Sequence, residues 1–289
     1  MKAPFEKKAA DEIRSYFTET AFDYRTLWFD EGSRAMHFGY ENDGKTPHSD
    51  SLINSNKVLA KFAKIGRGDR VLDAGCGMGG TSLWLAGAQG ANVVGITLGR
   101  DQAAAATEEA GRRSLLMSAS FLVGDFTAMP FADGAFDVVW VQESLCHAFE
   151  KEKFFREAAR VLSLNGRLIL ADGMLTCSTV SVEDRALLRD WYESWSLSGL
   201  WTAAQHANAA TAAGFSQISI TDVTAYTRAS QRRLYERARR AQPFANLLSL
   251  AGVRNPVQDR NVVGALKQYE ALKRECWFYG IMLAHKMAG

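Results

Sequence analysis

Residues 71–80 read Val-Leu-Asp-Ala-Gly-Cys-Gly-Met-Gly-Gly, an apolar run that meets one acid and then breaks into four glycines within six positions. This predicts a buried strand, a tight turn and the start of a helix. Glycine is needed where the backbone takes a positive φ, or where a ligand comes closer to the main chain than a Cβ allows. A turn of this kind holds part of a nucleotide against a helix N-terminus. Spacing alone leaves the nucleotide open, because Gly75, Gly77 and Gly80 also satisfy the dinucleotide pattern G-x-G-x-x-G.

Two features argue against a dinucleotide. Asp73 stands two residues before the first glycine, within reach of the turn amides and of a cationic ligand end. The next apolar run, residues 91–97, leads into Gly-Ile-Thr-Leu-Gly without the acid that a dinucleotide fold places near its ribose.

The 289 residues suffice for one large domain, or one domain with a cap. A net charge of +2 argues against a nucleic-acid partner. Cys76, Cys146, Cys177 and Cys276 are scattered and form no C-x-x-C, so neither a zinc site nor a disulfide framework is expected, and no metal is assigned. No stretch reaches the length of a membrane span, and residues 1–8 lack the apolar core of a signal peptide. A cytoplasmic protein with reduced thiols is the expectation.

Beyond the glycine turn, strand-like and helix-like patterns alternate. Strands are expected at 71–74, 91–97, 120–124, 136–142 and 166–172, and helices at 51–63, 81–89, 100–115 and 151–162. A helix at 203–213, a strand at 215–223 and a last, interior strand at 276–285 complete the pattern. Such alternation implies an α/β fold, a mostly parallel seven-stranded sheet with helices on both faces. Its ligands belong at the carboxyl ends of the strands.

The remaining segments suit a helical cap. Residues 5–30 carry Ile13, Tyr16, Phe17, Phe22, Tyr24, Leu27, Trp28 and Phe29 among charges. Residues 184–201 bring Leu187, Leu188, Trp191, Tyr192, Trp195 and Leu197 at helical intervals, with Trp201 at the end of the segment. Residues 227–240 form a basic helix with six arginines, either a solvated face or a phosphate site, and a further helix spans 262–274. The expected organisation is an N-terminal cap segment, 1–49, and a catalytic domain, 50–289, with lid insertions at about 176–202 and 226–274.

VLDAGCGMGG, taken with the rest of the chain, resembles the first motif of the class I S-adenosylmethionine-dependent methyltransferases, whose sheet is Rossmann-like. Residues 95–102, Gly-Ile-Thr-Leu-Gly-Arg-Asp-Gln, resemble the Gly-Ile-Thr-Leu-Ser-x-x-Gln variant of the sterol and tocopherol methyltransferases. Glu143 to Ala148 resembles the Glu-x-x-Cys-His-Ala stretch of sterol C-methyltransferases, and its glutamate matches that of the prenyl diphosphate group. The resemblance covers residues 36–175. It implies S-adenosylmethionine as cofactor, with Thr97 and Gln102 on the ribose, Gly99 replacing the family's serine.

For the cofactor, the expected residues are then Asp73, Gly75, Gly77, Thr97, Leu98, Gln102, Asp125, Phe126 and Gln142. Asp125 and Phe126 suit an adenine, the carboxylate accepting from its amine and the ring packing beside the base. Glu143 is a candidate catalytic acid or base, or else a cap on the following helix. His147 is a second base candidate, or a structural hydrogen bonder. Tyr24, Trp28, His37, Tyr40, Trp191 and Trp195 are expected on the acceptor side, the resemblance placing His37 and Tyr40 near the methionine end of the cofactor.

The expected reaction is methylation of a small, largely apolar metabolite, with carbon of an isoprenoid-like or aromatic acceptor as the first choice. The alternatives are oxygen or nitrogen methylation of a natural product, and a cyclase that keeps the cofactor structurally. A homo-oligomer is compatible with the sequence.

Overall fold

The structure is a computed structural model and describes residues 4–24, 33–42 and 45–287. Seven strands form one sheet in the order β3-β2-β1-β4-β5-β7-β6. They are β1 (Arg70–Ala74), β2 (Asn92–Thr97), β3 (Ala119–Val123), β4 (Phe136–Gln142), β5 (Leu162–Leu175), β6 (Phe215–Asp222) and β7 (Trp277–Lys286). All neighbours pair in parallel except β7, which runs antiparallel between β5 and β6. The α/β architecture is therefore the one expected, and β7 is interior.

Period-two alternation along the central strands explains why both faces are covered. Val71, Val138, Trp140, Ile169, Ala171, Tyr279 and Ile281 point into one core. Leu72, Ala74, Val139, Val141, Leu168, Leu170, Met282 and Ala284 point into the other. The first core also takes side chains from α3 (His48–Phe62), from α4 (Gly80–Trp84) with its π-helical continuation Leu85–Gln89, and from α5 (Arg100–Arg112). The second takes them from α6 (Lys151–Val161) and α8 (Ala203–Ala212).

The remaining helices are α1 (Pro4–Glu19), the short α2 (Ala21–Asp23), α7 (Val182–Ser194), α9 (Thr224–Leu250) and α10 (Pro256–Lys273). α10 packs against α7, α9 and α1 and ties these helices together.

Several boundaries differ from those expected. α5 ends at Arg112 because Ser114 adopts a left-handed backbone, φ 57°. α7 ends at Ser194, where the left-handed Ser196 and Gly199 turn the chain, so Trp201 lies outside any helix. The basic helix does not stop at residue 240. It continues through Pro243 for 27 residues in all, a proline that removes one backbone donor on an exposed side. α10 begins at Pro256, where Asn255 and Gln258 form a capping box and the proline takes the first turn. β5 extends to Leu175 because β7 pairs with it that far.

None of the four cysteines is in a disulfide. Among the described residues no helix is long and apolar enough to cross a membrane, and no cluster of three or more metal-ligating side chains occurs.

Candidate active site

Strand order reverses at β1 and β4, and the crevice at such a point is where open α/β sheets bind ligands. Here it opens into a cavity of about 640 Å³ over the carboxyl ends of β1 to β5, roofed by α1, α2, α7, α9 and α10.

The glycine turn leaves β1 and enters α4, as expected. Gly75, Gly77 and Gly79 have φ of 91°, 50° and 79°. A Cβ on Gly75 would overlap the Ser144 side chain, so this glycine lets the β1 and β4 exits approach each other. A Cβ on Gly80 would meet the carbonyls of Ser33 and Arg34, and one on Gly77 would lie 3.3 Å from the Met36 sulfur. The chain around residues 33–41 therefore crosses directly over the turn. Arg34 fastens it by an Nε bond to the Met78 carbonyl at 3.4 Å and an ion pair with Glu109 at 3.5 Å. Farther along, the Gly39 amide donates to Ser230 Oγ of α9 at 2.9 Å.

Asp73 is buried, and burial pushes its pKa up to about 6 against the opposing bonds from Ser82. Its Oδ2 accepts from Ser82 Oγ at 2.6 Å, so the carboxylate braces the start of α4 while lining the cavity. At the β2 exit, Thr97 Oγ1 donates to Gln102 Oε1 at 2.6 Å, and Leu98 lies beside them on the cavity wall. After β3, Asp125 Oδ1 accepts from the Thr127 amide and hydroxyl at 2.8 and 2.7 Å. Phe126 packs edge-on against Phe154, and both Asp125 and Phe126 line the cavity. Gln142 also lines it, but its amide is committed to the scaffold. Oε1 accepts from Thr81 Oγ1 and Trp140 Nε1 at 3.3 and 3.2 Å, and Nε2 donates to Ser55 Oγ at 3.2 Å.

Glu143 follows β4 on a left-handed backbone, φ 49°, uncommon for a residue with a side chain. It does not cap the following turn. Its Oε1 accepts from the Phe38 amide at 2.6 Å and from the Tyr279 hydroxyl at 2.7 Å. Burial raises its pKa to about 8 even though both bonds oppose the rise. Beside it, Asp172 of β5 is buried and pushed up to about 6 by desolvation; it accepts from the amides of Cys146 and Gly173 at 2.9 and 2.8 Å. Desolvation lowers His147 to about 4, and its Nδ1 lies 3.1 Å from the Ser196 carbonyl. That contact, and the low pKa, make it a neutral hydrogen-bonding group at physiological pH.

On the acceptor side, Tyr24, His37, Trp191 and Trp195 line the cavity. Tyr24 and Tyr16 bring their hydroxyls to 3.2 Å, and Trp195 Nε1 donates to the Asn261 carbonyl at 3.1 Å. Trp191 tilts against Trp277 at 5.1 Å between centroids. His37 is buried, held neutral with its pKa near 4 by desolvation. Tyr40 does not reach the cavity and stacks on Tyr226 at 4.7 Å, because its amide bonds to the Ser51 carbonyl and turns the side chain outward. Trp201 also lies away from it, stacked on Phe155. Trp28 is outside the described residues.

Sequence reasoning missed three contributors. Tyr279 sits in an apolar strand that reads as core, the Phe38 contribution is a main-chain amide, and Asp172 is a lone acid inside β5 with no motif around it.

The residues present suit a sulfonium nucleoside. The Cβ-free turn would give it a floor, Thr97, Gln102 and Asp125 offer a hydroxyl, an amide and a carboxylate of the kind a ribose and an amino-purine require, and Leu98 and Phe126 would pack beside a base.

The methyltransferase-domain family matches residues 72–170. The tocopherol O-methyltransferase of Arabidopsis thaliana chloroplasts is 37% identical over 55% of this chain and 48% of its own. The 27-O-demethylrifamycin SV methyltransferase of Amycolatopsis mediterranei is 31% identical over 70% of this chain and 74% of its own. The chain belongs to the class I S-adenosylmethionine-dependent methyltransferases. The match thus spans about half the length of the Arabidopsis relative and three quarters of the Amycolatopsis one. A crystal structure of the [4+2]-cyclase SpnF superposes with a TM-score of 0.81 over 97% of each chain at 24% identity, a likeness of fold. As in its family, S-adenosylmethionine is the cofactor.

Proposed function

We propose that this protein transfers the methyl group of S-adenosylmethionine to a small, largely apolar metabolite, with carbon as the accepting atom. The observation that carries this reading is Glu143. It is a carboxyl at the β4 exit, set on a left-handed backbone, with its pKa pushed up to about 8, in a cavity also lined by Phe17, Tyr24, Trp191, Trp195 and Trp277.

When bound, the cofactor supplies a methyl group already activated for attack. The protein's tasks are then alignment and desolvation. Asp73, Thr97, Gln102, Asp125 and Phe126 would hold the nucleoside, and the chain crossing the glycine turn would exclude water from it. The aromatic wall packs an apolar acceptor and stabilises positive charge that develops on an alkene carbon as the new carbon–carbon bond forms. Glu143, in its ionised form, then takes the proton that the methylated acceptor loses, restoring the double bond. Phe38 and Tyr279 fix one carboxyl oxygen, so the other is the one that receives the proton.

A hydroxyl acceptor is the second reading, favoured by the names of the two relatives, a tocopherol O-methyltransferase and a 27-O-demethylrifamycin SV methyltransferase. Glu143 would serve there as the base for the hydroxyl proton. Incubating the purified protein with methyl-labelled cofactor and separate sets of alkene-bearing isoprenoids, phenols and hydroxylated macrocycles tests both. A mass gain of one methylene unit, with the carbon-13 shift of the new methyl, separates a carbon from an oxygen product. Label in no acceptor, with cyclised product formed instead, would overturn methyl transfer.

A further inference from the structure

α9 has two outward-facing halves of opposite character. Its inner side closes the cavity with Leu234 and Ala238. Residues 224–255 carry seven arginines and one glutamate, a net +6 in a chain whose total is +2, so everything else sums to −4. Arg228, Arg232, Arg233, Arg237, Arg239 and Arg240 are all exposed, and the lone acid, Glu236, is already paired with Arg232. The C-terminal end then turns apolar without turning inward. Phe244, Leu247, Leu250 and Val253 are 63%, 61%, 88% and 68% exposed.

These two halves are continuous. Arg233, Arg237, Arg240, Phe244, Leu247 and Ala251 succeed one another at three- and four-residue intervals, which places them along one helix face. At 1.5 Å per residue, Arg239 and Arg240 stand roughly 10–15 Å along the axis from Leu247 and Leu250. Four large apolar side chains left exposed within ten residues, at the end of α9 and just past it, are unusual for a solvated surface and point to an interaction site. A protein partner could cover the leucines, but nothing in that explanation calls for a basic belt at fixed height above them.

We propose that the C-terminal end of α9 docks the protein on an anionic lipid surface. Phe244, Leu247, Leu250 and Val253 enter the boundary of the acyl chains, and Arg239 and Arg240, with Arg237 behind them, meet the phosphate layer about two to three turns back along the axis from Leu247 and Leu250. Apolar side chains reaching about 5–10 Å into the acyl boundary with cations at headgroup level hold interfacial helices on membranes; here the two sets are separated along the axis, so α9 enters by its C-terminal end. The charge asymmetry orients the molecule, because the six exposed arginines concentrate on this one helix while the rest of the chain has no net positive charge. This docking brings the helix that lines the acceptor chamber against the lipid phase in which a largely apolar acceptor concentrates. The inference stands on α9 alone and holds whichever atom is methylated.

The test is flotation with vesicles of phosphatidylcholine alone and with a phosphatidylglycerol fraction, using the full chain. Wild-type protein should float with the anionic vesicles and dissociate as salt is raised, and should bind pure phosphatidylcholine far less. Arg239→Glu with Arg240→Glu should weaken partitioning by at least about fivefold per arginine. Leu247→Asp with Leu250→Asp should abolish it, while cofactor affinity by calorimetry and the circular dichroism spectrum stay at wild-type values, since these positions are exposed. Failure of wild type to float on anionic vesicles overturns the proposal. So does flotation unchanged in either double variant. A wild-type dimer in sedimentation that becomes monomeric in the leucine variant, without flotation, would assign the patch to a second copy of the chain instead. Loss of methyl transfer with flotation intact would count against the proposed activity and not against docking.

Discussion

The two ends of the cavity are built by different means. On the β1–β3 side the floor is main chain, a turn of left-handed glycines with short polar groups bonded to one another across it. On the β4–β5 side the wall is side chains drawn from α1, β4, β5, α7 and β7, and its central carboxyl is held by residues 105 and 136 positions away. Backbone can be specified by a local pattern and serves whatever nucleoside the fold holds. Side chains gathered from distant segments specify one reaction, and they carry the strain: Glu143 pairs a left-handed backbone with a buried acid.

The sharpest way to break this division is Glu143→Gln. If the acceptor end works separately, turnover should fall by about 10²–10⁴-fold, with the dissociation constant for cofactor by calorimetry changed by less than about a factor of 2, the scatter expected of an isosteric change. A parallel loss of cofactor affinity would show that the two ends are one unit. The same variant has a stability signature. Folding raises the Glu143 pKa above its ordinary range to about 8, so the fold is favoured while the group is protonated and loses that advantage as pH rises through about 8. Melting temperature should therefore decline as pH rises from about 4.5 to about 8 in wild type and level off above that, and it should decline less in Glu143→Gln.

The reciprocal substitution is Gly75→Ala. A Cβ there costs about 1–2 kcal/mol for the left-handed backbone, and it also overlaps Ser144, which must move. Melting temperature should fall by several degrees, and cofactor affinity should fall with it. Because Ser144 precedes the turn that carries His147, some loss of turnover is expected as well. A variant that keeps cofactor affinity while losing only turnover would invert the assignment of the two ends.

What was legible beforehand follows the same line. The sheet, its order of elements and the glycine turn could be read from Val71 to Gly80 and from the alternating apolar runs, because both are local in sequence. Asp125 and Phe126 could be placed because they come just after β3, and strand ends are where such folds keep their ligands, whereas Thr97 and Gln102 came with the family resemblance of residues 95–102. Tyr279 could not, since a tyrosine inside Trp-Phe-Tyr-Gly-Ile-Met-Leu is indistinguishable from core until β7 is known to lie beside β5. The Phe38 amide has no side-chain signature at all. The misplacement of Tyr40 has a similar origin. Its motif fixes the path of the chain from Met36 to Phe38 into the cavity, but one further residue on, the bond to Ser51 reverses the direction of the side chain.

Tyr279→Phe sharpens the comparison from within the acceptor end. The tyrosine hydroxyl bond holds the Glu143 pKa lower than burial alone would, so removing it should move the pKa upward. The reactive form is the carboxylate. The rate should therefore rise with pH through about 8 in wild type and through a higher value in the variant. At neutral pH the variant should lose up to about tenfold in turnover, the equivalent of one pKa unit, and recover most of it in more alkaline buffer. A loss that pH does not restore would make Tyr279 a packing residue.

The smallest effect should come from Tyr40→Ala, and it tests the boundary of the site. Tyr40 stacks on Tyr226 with ring planes 9° apart, which joins the segment crossing the glycine turn to the first turn of α9. Losing one such pair costs about 0.5–1.5 kcal/mol beyond the area exposed, so melting temperature should drop slightly. Since the ring does not line the cavity, KM for the acceptor and turnover should stay as in wild type. If KM rises instead while the cofactor constant holds, the stack is acting as a hinge. The segment that donates to Glu143 through Phe38 would then be positioned from α9, making the acceptor end wider than the residues that touch its cavity.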